Sequence, residues 1–150
     1  MPSAYTQNFY HAVFSTRHRE MLISPDLEER LYAFMGGIVR DLRCTLVAGN
    51  GMPDHVHLLV RYRADLSHSD MLQQIKGRSS KWINETSPQR GHFSWQAGYG
   101  GFTVSKSVLP EVEAYIARQK EHHQRMDFRT EFMELLRRHG IEFDEATVFE

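Results

Sequence analysis

The 150-residue sequence has a single cysteine, Cys44, so it cannot form an internal disulfide. A lone thiol is typical of a reducing compartment, and we expect Cys44 to be a small core residue. The sequence also lacks an apolar run near the ~20 residues that a membrane span requires. Residues 1–7 show no charged segment followed by an apolar one, so we expect no signal peptide. These absences favour a single cytoplasmic domain over residues 1–150, with no membrane contact.

An excess of positive charge is also lacking. The formal net charge at pH 7 is −1, although phosphate binding depends mainly on lysine and arginine. The last ten residues hold four acids and no base, so residues 1–140 carry 18 basic and 15 acidic residues, a formal charge of +3. Each local basic cluster also fits a solvated surface. The clusters, which together could rim one groove, are Arg17 and Arg19, Arg61 and Arg63, and Lys76, Arg78 and Lys81.

The sequence does contain a pair of histidines in a strand-like segment. His55 and His57 belong to the run HVHLLV, residues 55–60. Successive side chains of a strand alternate between faces, so both imidazoles point to one side while Val56 and Leu58 pack behind them. The pattern predicts a pair of metal ligands. Alternatively, both rings line an open sheet face, since the chain has nine histidines.

A tyrosine and a glutamine form the second chemical signal. Tyr115 and Gln119 fall in a helical pattern that places a phenol and an amide on one face. Alternatively, Tyr115 is a half-buried aromatic that covers the sheet. His122 and His123 follow as further ligands or proton carriers, or as ordinary histidines favoured by the dipole at a helix end. Together with the histidine pair, these residues suggest a metal-assisted tyrosine nucleophile.

The order of the elements predicts an α+β fold of the ferredoxin-like, split βαβ type with an antiparallel sheet. The strands are predicted over residues 5–15, 43–48 and 55–62 and within 93–104, and the helices from Pro25 onward and over 71–83, about 107–124 and about 128–139. Such a fold leaves one sheet face open, and the C-terminal helices carry the nucleophile. Gly98, Gly100 and Gly101 suggest a flexible or strained connection ahead of the helix that begins at Ser107.

Five segments resemble the single-tyrosine HUH transposases of the insertion-sequence-200-like class, which include domesticated relatives associated with repetitive extragenic palindromes. In the order that the family has, they are YHAVFSTR (10–17), GMPDHVHLLV (51–60), KGRSSKW (76–82), WQAGYGGFTVS (95–105) and YIARQKEHH (115–123). A His-hydrophobic-His strand followed by a Tyr-x-x-x-Gln helix is a specific combination. The segments span nearly the whole chain.

The resemblance implies a transposase that cleaves and rejoins single-stranded DNA through a 5′-phosphotyrosine. Tyr115 is then the nucleophile, and His55, His57 and Gln119 hold Mg²⁺ or Mn²⁺. It also implies hairpins at element ends as the DNA partner and the bacterial or archaeal nucleoid as the place of action. It further implies a homodimer with active sites shared in trans, in which the Tyr115 helix of one subunit serves His55 and His57 of the other. The residues expected to contact DNA, with an exposed surface as the alternative, are Arg17, Lys76, Arg78, Ser79 and Lys81.

The residue types suit this chemistry. Imidazole and amide ligands are neutral, so the full charge of a divalent cation remains available to a phosphate. A carboxylate-rich site would hold Mg²⁺ better, so we expect a weak site that the DNA completes. Phenolate is also a competent leaving group, because the pKa of tyrosine is about 10. A phosphotyrosine bond therefore permits rejoining without ATP.

Several alternatives remain open from the sequence. A non-catalytic module that binds RNA or single-stranded DNA would need exposed aromatics where the central strand has histidines. A zinc hydrolase would need a more strongly coordinating third ligand. A cupin-type oxygenase also uses His-x-His, but its all-β pattern conflicts with the long helices. A domesticated relative has the same chemistry, and only flanking genomic DNA would distinguish it from a mobile element.

Overall fold

A four-stranded antiparallel sheet organises the computed structural model, which describes residues 4–87 and 91–150. The strands are β1 (Asn8–Ser15), β2 (Thr45–Met52), β3 (His55–Tyr62) and β4 (Gly100–Val104), in the sheet order β2-β3-β1-β4. The helices are α1 (Pro25–Asp41), α2 (His68–Thr86), α3 (Leu109–Ala117), α4 (Gln119–His122) and α5 (Phe128–Arg138). This arrangement confirms the predicted ferredoxin-like, split βαβ fold.

Three expectations from the sequence concern a signal peptide, a membrane-spanning helix and the single cysteine. The first three residues of the segment expected to lack a signal peptide lie outside the described residues. Among the described helices, none is both long and apolar enough to cross a membrane. Cys44 is buried as expected, although it precedes β2 and does not lie within a strand.

The first helical layer, α1 and α2, packs on one face of the sheet. Ser24 and Ser67 begin these helices, and each hydroxyl accepts a hydrogen bond from a backbone amide of the first turn. The glycines at residues 36–37 do not interrupt α1, because its apolar stripe is buried against the sheet and this packing outweighs the low helix propensity of glycine. The buried side chains between the layers include Tyr10, Ala12, Phe14, Leu27, Leu31, Met35, Val56, Leu58, Val60, Met71, Leu72 and Ile75.

The second helical layer, α3 to α5, covers the opposite face of the sheet. Leu109 and Ile116 of α3 pack on Phe9 and Leu59. The apolar residues of α5 pack on β1 and β4, and the members of this cluster include Val13, Phe102, Phe128, Phe132, Leu135 and Leu136. The prediction of an open sheet face is therefore wrong for the described chain. The apolar stripes of α3 and α5 need a surface to bury, and this face supplies it.

Two glycines allow β4 to approach its neighbours closely. A Cβ atom at Gly101 would overlap the phenol of Tyr10, and one at Gly100 would lie 2.6 Å from Cε2 of Phe132. Both glycines pair with β1 in the sheet. The prediction of a flexible or strained connection ahead of the next helix is therefore wrong for Gly100 and Gly101, whereas Gly98 lies outside the strand. Gly100 and Gly101 are ordered strand residues whose missing side chains make room for two aromatic rings.

We expect Gly101→Ala to lower the free energy of unfolding by about 1–3 kcal/mol, because the added methyl forces the Tyr10 ring or β4 to move. Gly77→Ala is the matched control. A Cβ atom there meets nothing within 4 Å, and alanine in a helix should raise stability by about 0.5–1 kcal/mol. Denaturant unfolding measures both variants. Equal stability of Gly101→Ala and the parent would contradict the close approach.

Candidate active site

The two histidines of β3 lie side by side beneath the second helical layer. Their side chains are fully buried, and Val56 and Leu58 lie on the opposite face, as strand alternation predicts. Nδ1 of His55 lies 2.7 Å from Oδ1 of Asp54. Nδ1 of His57 lies 2.8 Å from Nε2 of the buried His11. Both Nε2 atoms therefore face α4 and α5.

The turn ahead of β3 fixes the first of these histidines. β2 extends to Met52, beyond the strand predicted to end at residue 48, so Pro53 and Asp54 alone join β2 to β3. The backbone oxygen of Asp54 accepts a hydrogen bond of 2.8 Å from the amide of Thr16, just after β1. A carboxylate only accepts hydrogen bonds, so Nδ1 of His55 carries a hydrogen and donates it to Asp54. In the neutral ring, Nε2 then has a free electron pair.

The prediction of one continuous helix over residues 107–124 is wrong, because the segment forms two helices, α3 and α4. Ser105, and not Ser107, caps a short 3-10 turn ahead of α3. The side-chain amide of Asn50 in β2 donates to the backbone oxygens of Ile116 and Ala117, at 2.9 and 3.4 Å. Because β2 satisfies these carbonyls, the helical ladder stops one residue later, and α4 begins after the break.

Tyr115 and Gln119 nevertheless reach the same site from either side of this break. The hydroxyl of Tyr115 donates a short hydrogen bond to Oε2 of Glu131. The amide nitrogen of Gln119 donates to the same oxygen at 3.0 Å, which leaves its Oε1 3.2 Å from Nε2 of His55. The centres of the Tyr115 and His57 rings are 5.7 Å apart. A single chain thus assembles all four residues, with the tyrosine in cis to the histidines.

The centre of the cluster is Glu131 of α5, which the sequence-based reasoning missed. Its side chain is 1% exposed. Its Oε1 lies 3.0 Å from Nε2 of His57 and 3.4 Å from Nε2 of His55. The sequence does hold a signal, because Glu131 interrupts the apolar stripe that contains Phe128 and Leu135, where an acid is rarely buried without a partner. α5 therefore supplies a functional candidate as well as core residues.

The two histidines at the end of α4, His122 within the helix and His123 just after it, differ in position. Nε2 of His123 lies 3.0 Å from Oε1 of Glu131, and its side chain is 4% exposed. Nε2 of His122 lies 3.4 Å from the other oxygen of Glu131 without a hydrogen bond of good geometry, and its side chain is 30% exposed. Of the two, His123 has the position of a further ligand.

Burial governs the protonation of this cluster. It lowers the pKa of His57 to about 4 and that of His11 to about 3, so both rings are neutral at pH 7. Burial opposes ionisation of Glu131, but its hydrogen bonds with His123 and His57 outweigh this effect and hold the carboxyl pKa below its usual range. Burial and then the charge of Glu131 raise the pKa of Tyr115, so the phenol is protonated at pH 7.

The donor set fits a divalent cation. Ligand atoms of four side chains, His55, His57, His123 and Glu131, lie within 4.8 Å of one another. The free electron pair of Nε2 in a neutral His55 faces Oε1 of Gln119, which is also an acceptor. A cation between these two atoms would satisfy both of them. Imidazole nitrogens with carboxylate and amide oxygens suit Mn²⁺, Mg²⁺ or Zn²⁺.

The residues of α2 that were expected to contact DNA lie on the face of the sheet opposite the two histidines. Most of them already form contacts within the protein. The ammonium of Lys76 donates to the backbone oxygens of residues 96, 97 and 98, and burial lowers its pKa to about 8. Arg78 pairs with Asp41 at 2.8 Å. Ser79 is fully buried and accepts a hydrogen bond from the indole of Trp95. The prediction that Ser79 contacts DNA is therefore wrong.

The remaining two candidates for DNA contact, Arg17 and Lys81, are exposed, and so is the paired Arg78, whose side chain is 42% exposed. Arg17 lies in a 3-10 turn directly after β1. Lys81 is 77% exposed and lies 3.9 Å from Glu85, one helical turn away. Exposed pairs contribute little to stability, so the pairs of Arg78 and Lys81 leave both side chains available to bind phosphate.

The sequence was compared with protein families and with individual known proteins, and both comparisons found matches. A family model described as "Transposase IS200 like" matches residues 4–119. The ISDra2 transposase TnpA of Deinococcus radiodurans is 24% identical over 117 residues, which cover 75% of this chain and 84% of that protein. The family match stops at Gln119, so His123 and Glu131 lie beyond it.

Two solved structures share the fold. A crystal structure from Deinococcus radiodurans R1, of a protein assigned to the transposases, has a TM-score of 0.65 and 24% identity, and the match covers 79% of this chain and 95% of that one. A REP-associated tyrosine transposase bound to a REP hairpin has a TM-score of 0.61 and 16% identity, with 82% and 73% covered.

Proposed function

The chain belongs to the IS200-like transposase family, and from this premise we propose that it cleaves and rejoins single-stranded DNA with Tyr115 as the nucleophile. One observation carries the proposal. The hydroxyl of Tyr115 donates a hydrogen bond to the carboxylate of Glu131, and the same carboxylate faces the buried imidazoles of His55 and His57. A nucleophile next to a candidate cation site is the arrangement that attack on a phosphodiester requires.

In the proposed reaction, the phenol oxygen of Tyr115 attacks the scissile phosphorus. The new bond joins this oxygen to phosphorus, and the bond from phosphorus to the 3′ oxygen breaks. The 3′ oxygen leaves as a hydroxyl and takes up the equivalent of the proton lost by the phenol. A 3′-hydroxyl later attacks the 5′-phosphotyrosine and releases the tyrosine. One ester bond replaces another at each step, so no ATP is consumed.

We propose that Mg²⁺ or Mn²⁺ binds to His55, His57 and Gln119. When bound, the ion acts as a Lewis acid that offsets the negative charge of the phosphate. Asp54 contacts Nδ1 of His55, and His11 contacts Nδ1 of His57. These contacts orient the two rings so that both Nε2 atoms point toward the proposed metal position.

We propose single-stranded DNA with hairpins as the substrate, because the REP-associated relative of similar fold binds a REP hairpin. Arg17, Arg78 and Lys81 are the exposed residues proposed to contact its phosphates. The protein would act at the nucleoid in the cytoplasm of a bacterium or archaeon. Both a mobile element and a domesticated palindrome-processing relative fit this proposal, and the genomic DNA on either side of the gene distinguishes them.

The competing binding module is less consistent with the structure. A ferredoxin-like module that binds RNA or single-stranded DNA uses an open sheet face with exposed aromatics. Here α3 to α5 cover that face, and His55 and His57 beneath them are fully buried. A cupin is excluded by the four-stranded sheet with two helical layers.

The experiment that tests the proposal is incubation with panels of hairpin-containing single-stranded DNA and Mg²⁺ or Mn²⁺. We expect a protein–DNA adduct that resists denaturants, and mass spectrometry should locate the nucleotide on Tyr115. An adduct on any other tyrosine would contradict the mechanism. A set of hairpin and unpaired probes that yields no adduct under either metal would contradict the function.

The resemblance implies a homodimer with active sites shared in trans. We propose instead that Tyr115 acts in cis, because its hydroxyl contacts the Glu131 carboxylate that faces His55 and His57 of the same chain. We therefore expect no activity when Tyr115→Phe is co-expressed with the His55→Ala, His57→Ala double variant, since every chain then holds a damaged site. Isolation of mixed dimers through two affinity tags, followed by the adduct assay, checks this expectation. Recovery of cleavage in the mixed dimer would establish active sites shared in trans.

A further inference from the structure

We propose that Glu131 of α5 is itself a metal ligand, which joins the proposed site through Oε1 together with His55, His57 and His123. The inference builds on the proposed function, because it assigns a charged ligand to the same metal site. It also concerns a part of the chain beyond residue 119, where the family match ends.

The spacing of the atoms supports this assignment. Two ligand atoms that each lie about 2.1 Å from an ion are about 3.0 Å apart at a right angle and about 3.4 Å apart at a tetrahedral angle. Oε1 of Glu131 lies 3.0 Å from Nε2 of His57, 3.4 Å from Nε2 of His55 and 3.0 Å from Nε2 of His123. Neighbouring ligands in one coordination sphere have these separations.

Charge and burial support it as well. The carboxylate of Glu131 is 1% exposed, and a buried anion is costly unless a cation or several hydrogen bonds offset its charge. Nδ1 of His55 lies 2.7 Å from Asp54, which directs Nε2 of the ring toward Oε1 of Glu131, 3.4 Å away. A divalent ion placed between these atoms satisfies both of them.

A charged ligand changes the character of the site. The sequence predicts a weak site with neutral ligands, whereas a carboxylate raises the affinity for hard cations. The second oxygen of Glu131 accepts the hydrogen bond of Tyr115. The carboxylate that binds the ion would therefore also hold the nucleophile beside it, which links α5 to both parts of the active site.

The test measures binding of Mn²⁺ to the full chain without DNA, by the electron paramagnetic resonance signal of the free ion. We expect Glu131→Gln to weaken Mn²⁺ binding about tenfold or more, since losing even a residue that only orients a ligand costs about 10–100-fold. Glu134→Gln is the control on the same helix, because Glu134 pairs with Arg138 at the surface. Glu134→Gln should bind Mn²⁺ as the parent does. Equal affinity of Glu131→Gln and the parent would overturn the proposal.

Glu131→Asp covers the case in which Glu131→Gln does not fold. It keeps the charge but withdraws the carboxylate by one methylene, so we expect weaker Mn²⁺ binding here too. Parental affinity would again overturn the proposal.

The adduct assay separates this inference from the proposed function. Loss of Mn²⁺ binding in the Glu131 variants supports the ligand assignment even if the parent forms no adduct, and an adduct with unchanged Mn²⁺ binding refutes the assignment alone.

Discussion

Tyr115→Phe is expected to abolish the covalent protein–DNA adduct. Only the attacking oxygen is removed, and losing a nucleophile costs on the order of 10⁴–10⁶-fold in rate. The ring of Tyr115 is half-buried beside His57, and the substitution keeps the ring but removes the hydroxyl that bonds to Glu131. We therefore expect the fold and the binding of hairpin DNA to remain. Gel electrophoresis under denaturing conditions measures the adduct, and a mobility shift measures binding.

Tyr62→Phe is the matched control for that experiment. The hydroxyl of Tyr62 also forms a side-chain hydrogen bond, 2.6 Å from Nε2 of His68, but it lies with the first helical layer on the opposite face of the sheet. Its adduct should form at the parental rate. A Tyr115→Phe protein that still forms an adduct would show that another residue attacks the DNA.

The second large effect is expected at the metal ligands. His57→Ala should slow cleavage by about 10²–10³-fold, because a bound metal contributes several kcal/mol to stabilising the transition state and each 1.36 kcal/mol is tenfold in rate. His55→Ala should behave alike. Gln119→Ala should keep part of the activity and recover with more Mn²⁺, since an amide is the weakest of the proposed ligands. Adduct formation against Mn²⁺ concentration measures all three.

His68→Ala is the control for the histidine variants, because His68 stacks on Tyr10 on the opposite face of the sheet. It should cleave as the parent does at every Mn²⁺ concentration. A chelator should also stop cleavage by the parent, and added Mn²⁺ should restore the activity. Full activity of the parent in excess chelator would refute a metal-dependent mechanism.

The parts of the site that the sequence predicts are those set by local geometry. His55 and His57 share a face because strand side chains alternate, whatever the rest of the chain does. Tyr115 and Gln119 are four residues apart, so one helical turn, even with a break, keeps them close. The element order likewise predicts the sheet, because hairpins and crossovers allow few topologies.

The parts that it does not predict depend on contacts distant in sequence. Glu131 interrupts an apolar stripe, which indicates an unusual buried acid, but its partner His57 is 74 positions away. Asn50 ends α3 from 66 positions away, so helical periodicity could not place the break. In the sequence, Ser79 has the pattern of an exposed helix residue. In the structure it is buried, and its hydroxyl accepts a hydrogen bond from the indole of Trp95.

The position of the sheet between two helical layers has a consequence for hydrogen exchange. β1 and β3 are the inner strands, each paired on both sides, so the amide hydrogens of His55 and His57 should exchange only through global unfolding. α3 and α4 have nine and four residues, so their amides should exchange through local opening at a lower free energy. The strand that bears the histidines would then be as persistent as the fold itself, while the segment that bears the tyrosine opens and closes many times within one lifetime of the folded protein.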